Sequence, residues 1–66
     1  MTVTVNGLPV TLHDGATLRH LIEHLDLADA PCAAEVNKSL VPHRRHASHE
    51  LRDGDVVEVV TLVGGG

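Results

Sequence analysis

Along "TVTVNGLPVTLHDG" apolar and polar positions alternate about an Asn-Gly pair. Val3 and Val5 fall on one side of an extended chain and Thr2 and Thr4 on the other, the period of a half-buried strand. Asn6 and Gly7 both tolerate positive φ, which predicts a tight hairpin turn, and Val10 and Leu12 continue the alternation on the return strand. Pro9 has no N–H and is placed where the ladder needs no donor. After the turn at Asp14-Gly15 the period changes. Leu18, Leu21, Ile22 and Leu25 stand at i, i+3, i+4 and i+7, one apolar stripe of an amphipathic helix. Thr17 stands at its N-cap position, and Pro31 prevents the helix from running on.

"CAAEVNKSLVP" reads as a second, weaker strand pair turning at Asn37-Lys38, with Cys32, Ala34 and Val36 in one inward phase. "HRRHASHE" is an irregular polar connection with one helical turn. "LRDGD" is a turn in which Gly54 supplies positive φ. "VVEVVTLV" is the most β-branched run of the chain and is expected as a central strand. Two strands, a helix, a strand pair and a last strand make an α+β domain, a mixed sheet of four to five strands with one helix packed on one face.

Composition narrows the function classes. The 66 residues are 42% hydrophobic and include no Phe, Tyr or Trp, so Val, Leu, Ile and Ala must fill the core of one domain. A chain of this length hides only about 60% of its unfolded surface. It has little room for a small-ligand cleft of roughly 300–1,000 Å³, which points to a carrier or binding module rather than an enzyme. The formal charge of −4 carries no Lys/Arg stripe for nucleic acid and suits a basic partner surface. The single cysteine, Cys32, fits a reducing compartment, and "MTVTVNG" has neither the basic nor the apolar part of a signal peptide. No stretch approaches the ~20 apolar residues of a membrane helix, and the expectation is a cytoplasmic protein without a membrane or nucleic-acid partner.

The run "VVTLVGGG" carries the candidate chemistry. The domain is expected over 1–63, with a flexible tail at 64–66. Gly64, Gly65 and Gly66 reach about 10 Å when extended, and without side chains they fit a channel too narrow for other residues. A terminal carboxylate is ionised at neutral pH and is a weak oxygen nucleophile. Its attack on the α-phosphate of ATP releases pyrophosphate and leaves an acyl-adenylate, from which a sulfur or nitrogen nucleophile displaces AMP. The chain has no GxxxxGK[ST] loop, so a separate enzyme must bind the ATP. The competing reading is a frayed end with no role. If Val57 and Val59 face the helix, then Val60 and Leu62 lie on the other face of the sheet. With Val63 they form a patch for a partner beside the tail.

Other residues invite chemistry. His20 and His24 are spaced i, i+4 on the helix, and His43, His46 and His49 recur every three. These are read as solvated surface histidines, with Cys32 pointing into the core, away from them. Cys32 itself reads as a small buried apolar residue rather than a nucleophile. Asp53 and Asp55 flank Gly54 and read as acceptors for turn amides.

The element order, the length and four motifs resemble the ubiquitin-like β-grasp sulfur carriers, most closely the ThiS family. The motifs are "VNG" at the first turn, Asn37 followed by Val41-Pro42, "LRDGDVVEVV" from Leu51 to Val60, and the closing Gly65-Gly66. The resemblance implies that an E1-like adenylating enzyme of the ThiF type activates Gly66 with ATP, and that the carrier itself binds no cofactor. A sulfur donor such as a cysteine desulfurase then yields a terminal thiocarboxylate. A ThiG-type thiazole synthase takes its sulfur into the thiazole of thiamine. His43 and His46 stand where the family often shows an Arg and an aromatic residue, which leaves local packing open. Two alternatives stay open as well: a MoaD-like small subunit of molybdopterin synthase, and a ubiquitin-like protein modifier joined to lysines through Gly66.

Overall fold

The computed structural model describes residues 1–62. Both short turns take the I′ form that matches the twist of paired strands. Asn6 and Gly7 have φ of 49° and 84°, and Asn37 and Lys38 have φ of 51° and 71°. The first turn joins β1 (Thr2–Val5) to β2 (Leu8–Thr11), with Val3 opposite Val10. The second joins β3 (Cys32–Val36) to β4 (Ser39–Val41), with Ala34 opposite Val41. The β-branched run forms β5 (Val56–Thr61), parallel to β1 on one side and antiparallel to β3 on the other. The sheet order is β2-β1-β5-β3-β4, so the last strand is central, as its composition predicts.

The two turn asparagines also fasten β5. Beyond the end of β1, the Val59 N–H donates to Asn6 Oδ1 at 2.9 Å, and Asn6 Nδ2 donates to the Val59 carbonyl at 3.0 Å. On the other edge, the Val56 N–H donates to Asn37 Oδ1 at 3.0 Å, and the Asn37 N–H donates to the Val56 carbonyl at 2.7 Å. At Asn6 the side-chain amide supplies both bonds that a neighbouring peptide would make. At Asn37 the backbone N–H and the side-chain oxygen supply one each, so the centre strand keeps its hydrogen bonds.

Helix α1 (Leu18–His24) crosses one face of the sheet and has only seven residues, too short to persist alone. Tertiary bonds hold its start. The Leu18 N–H donates to the His49 carbonyl and the Arg19 N–H to the His46 carbonyl, both at 2.9 Å. Thr17 caps the His20 N–H through Oγ1 at 3.3 Å, and His20 Nδ1 accepts the Thr17 N–H at 2.9 Å. This is a capping box with imidazole in place of the usual Glu or Gln. The end is a Schellman motif: Asp26 takes φ 62°, its N–H donates to the Glu23 carbonyl, and the Leu27 N–H donates to the Ile22 carbonyl. Leu18, Leu21 and Ile22 pack on Val3, Val5, Ala34, Val36, Val57 and Val59 in a core without aromatic carbocycles. The proposed boundary between 1–63 and 64–66 lies outside the described residues.

Candidate functional site

Strand β5 divides its side chains between the two faces of the sheet. Val57 and Val59 are 0% and 7% exposed beneath the helix. Val60 and Leu62 are 58% and 53% exposed on the opposite face, where the alternation of the sequence puts them. The Leu62 N–H donates to the Pro31 carbonyl at 2.8 Å, so sheet pairing reaches the last described residue. Val63 of the predicted patch, and Gly64, Gly65 and Gly66 of the predicted tail, lie outside the described residues.

Register adds members to this face that a reading of single strands misses. Ala33 on β3 is opposite Val60, Glu35 is opposite Glu58, and Leu40 on β4 is opposite Glu35. Leu40 is 67% exposed and Val56 48%. The out-of-phase positions of "CAAEV" mark Ala33 and Glu35 as outward. Which residues of β5 and β4 stand beside them depends on pairing, which no single segment encodes. The result is an apolar strip next to the C-terminal end of β5, with two carboxylates in its middle.

The histidines divide, and one departs from expectation. His46 is 4% exposed, so the solvated reading fails for it. The one-turn 3₁₀ helix His43–Arg45 carries it under β4, and its Nε2 donates to the Val41 carbonyl at 3.0 Å. Its ring lies 5.2 Å from that of His43. His46, at the position where the resemblance implies an aromatic residue, is thus packed inside with a hydrogen bond of its own.

His20 is committed to the helix cap. With Nδ1 accepting a backbone N–H, the neutral ring carries its proton on Nε2 and has no free lone pair for a metal. The i, i+4 pair His20 and His24 therefore does not present two available ligands. Among the described residues no group of three or more His, Cys, Asp or Glu side chains is placed to hold a metal ion.

Cys32 is buried at 9% exposure, in the inward phase predicted for it. It does not point away from all the histidines, however. It borders a small cleft with His43, His46, Arg19 and Ile22, because the 3₁₀ turn folds back against the start of β3. The cleft holds about 20 Å³, space for one water and not for a substrate. Asp55 is a turn acceptor as expected: Oδ2 takes the Arg52 N–H at 2.8 Å and Oδ1 takes Asn37 Nδ2 at 3.0 Å. Asp53 reaches further, accepting the Thr2 N–H of β1 at 2.8 Å. Both carboxylates hold backbone in place.

Comparison with known proteins gives consistent matches over the whole chain. The ThiS family model matches residues 3–66. The chain is 30% identical over 66 residues to the sulfur carrier protein ThiS of Escherichia coli strain K12, and the match covers all of both proteins. It is 35% identical over 66 residues to the thiazole synthase of Magnetococcus marinus, of which it spans only 20%. Among solved structures, the crystal structure of the thiamine biosynthesis protein ThiS from Geobacter metallireducens matches with a TM-score of 0.82 at 30% identity, covering all of both chains. The mixed five-stranded sheet with one helix on one face is the ubiquitin-like β-grasp of that structure.

Proposed function

The chain belongs to the ThiS family, and on that premise we propose that it is a sulfur carrier for thiazole formation in thiamine biosynthesis, with Gly66 as the residue that bears the sulfur. The observation that carries the reading is the pair of full-length matches. One is to a dedicated sulfur carrier, and the other is to one fifth of a thiazole synthase. The second match favours the thiazole pathway over the molybdopterin one, because there a segment like this chain is part of the enzyme that would consume the sulfur. It also supports a ThiG-type thiazole synthase as the partner of this chain.

In this reading the Gly66 carboxylate attacks the α-phosphate of ATP held by a ThiF-type enzyme, and pyrophosphate leaves. A sulfur nucleophile supplied by a cysteine desulfurase or similar donor adds to the acyl carbon, and AMP departs. Because the donor delivers the sulfur as a persulfide, the adduct is an acyl disulfide. A thiol co-reactant attacks the donor's sulfur in it, leaves with the donor as a mixed disulfide, and releases the thiocarboxylate on Gly66. Gly64 and Gly65 thread the partner's channel, where a Cβ would obstruct the approach of its walls. No side chain of this chain is asked to move a proton. Its contribution is a rigid body whose central strand leads to the reacting end, with Val60, Leu62 and Val63 as a grip for the partner.

Intact mass spectrometry tests this. Incubated with its ThiF-type enzyme, ATP and a sulfur source, the chain should gain the mass of one oxygen-to-sulfur exchange, mapped to Gly66. Deleting Gly65-Gly66 should abolish the gain while the thermal midpoint stays within a degree or two, so that the loss is read on a folded chain. Loading of the truncated chain would overturn the site. Adducts to protein lysines in place of the exchange would favour a modifier.

A further inference from the structure

Glu35 and Glu58 stand directly opposite each other on β3 and β5, on the open face of the sheet, and both are exposed. Opposed positions on antiparallel strands put side chains about 4.5–5.5 Å apart at Cβ, and like charges there oppose folding. Neither carboxylate has an ion-pair partner among the described residues. The other carboxylates at strand ends and turns contrast with them: Asp53 and Asp55 each accept backbone or side-chain amides, and Asp14 faces the chain's amino group at 3.5 Å. The fold uses those and gains nothing from the central pair.

The surroundings of the pair indicate what would fit it. Val60 and Ala33 follow on the side of the C-terminus, with Leu62 beyond them, and Leu40 closes the β4 side. An apolar strip beside two neighbouring carboxylates excludes water from that side when covered, and so strengthens a charge interaction next to it. A planar guanidinium has five N–H donors and spans two carboxylates, where an ammonium acts as a single point. The overall charge of −4 favours approach by a basic surface.

We propose that the Glu35–Glu58 pair receives one arginine side chain from the thiazole-synthase-type partner, with Val60, Leu62 and Leu40 packing around its stem. This rests on the sulfur-carrier reading for the identity of the partner. It extends that reading by assigning the charge recognition to two residues on neighbouring strands.

The test is calorimetric titration of the intact chain with the thiazole synthase of the same source, at low and at moderate salt, beside a sulfur-loading assay. Glu35→Gln and Glu58→Gln should each weaken binding about tenfold or more at low salt. The double variant should lose less than the product of the two, since both carboxylates serve one cation. The exposed loop control Asp29→Asn removes the same charge and should bind within about twofold of the unsubstituted chain. The thermal midpoints of the two Gln variants should equal or exceed that of the unsubstituted chain, because a repulsion has gone. If the Gln variants bind like the control, or the synthase does not bind a chain that still loads sulfur, the arginine site is overturned and the carrier reading stands. A chain that neither loads sulfur nor binds the synthase overturns both.

Discussion

The two faces of β5 carry similar side chains in different circumstances. Val57 and Val59 are covered by Leu18, Leu21 and Ile22, while Val60 and Leu62 stand in solvent on the reverse side. Their chemistry is the same, so residue type does not separate fold from function here. The helix does, because it covers one face and leaves the other open. On the covered face each apolar group holds the domain together, and on the open face similar groups can be exchanged with little loss of stability. A 66-residue domain has stability on the order of 3–10 kcal/mol, so the division is a sharp one.

The largest effect expected is on the covered face. Leu21 is 0% exposed, and Leu21→Ala should cost about 2–5 kcal/mol, enough to unfold much of the population in a thermal or denaturant melt. A loss below 1 kcal/mol would mean that the helix is not the element that closes the core. Next comes the fastening of β5. Asn6→Ala strands the Val59 N–H and carbonyl and also puts a Cβ-bearing, non-amide residue at φ 49°, so about 2–4 kcal/mol is expected. Asn6→Gly keeps the turn and loses only the two bonds, which should reduce the cost by about 1 kcal/mol. Equal losses from the two variants would show that the turn conformation contributes nothing. The smallest effect belongs to the open face. Val60→Thr and Leu62→Thr should each shift stability by less than about 0.5 kcal/mol while weakening capture by the partner. If either melted like Leu21→Ala, the contrast between the faces would collapse.

Much of the architecture was legible in the chain because local patterns encode it. Two I′ turns at Asn-Gly and Asn-Lys, one apolar stripe closed by Thr17, and a β-branched last strand each follow from the few residues involved. The outward direction of Val60 and Leu62 was legible for the same reason, since alternation has a period of two. His46 was not legible. In sequence it is one polar residue in "HRRHASHE", and only the 3₁₀ turn and the Val41 carbonyl bury it. The part played by His20 was hidden similarly, because a histidine three residues after Thr17 resembles a surface residue until its ring meets the N-cap amide.

The amino-acid order by itself determined the elements, their inward and outward phases, and a closing glycine run that resembles the reactive ends of sulfur carriers. Those properties depend on neighbours a few positions apart, where φ preference and side-chain period decide. The tertiary structure alone decided which strands flank β5, that Asn6 and Asn37 fasten it, and that Glu35 faces Glu58 beside an apolar strip. Those pairings join residues from separate segments of the chain. Their register is set by which arrangement buries the apolar face beneath the helix, a condition that belongs to the whole fold and to no single segment.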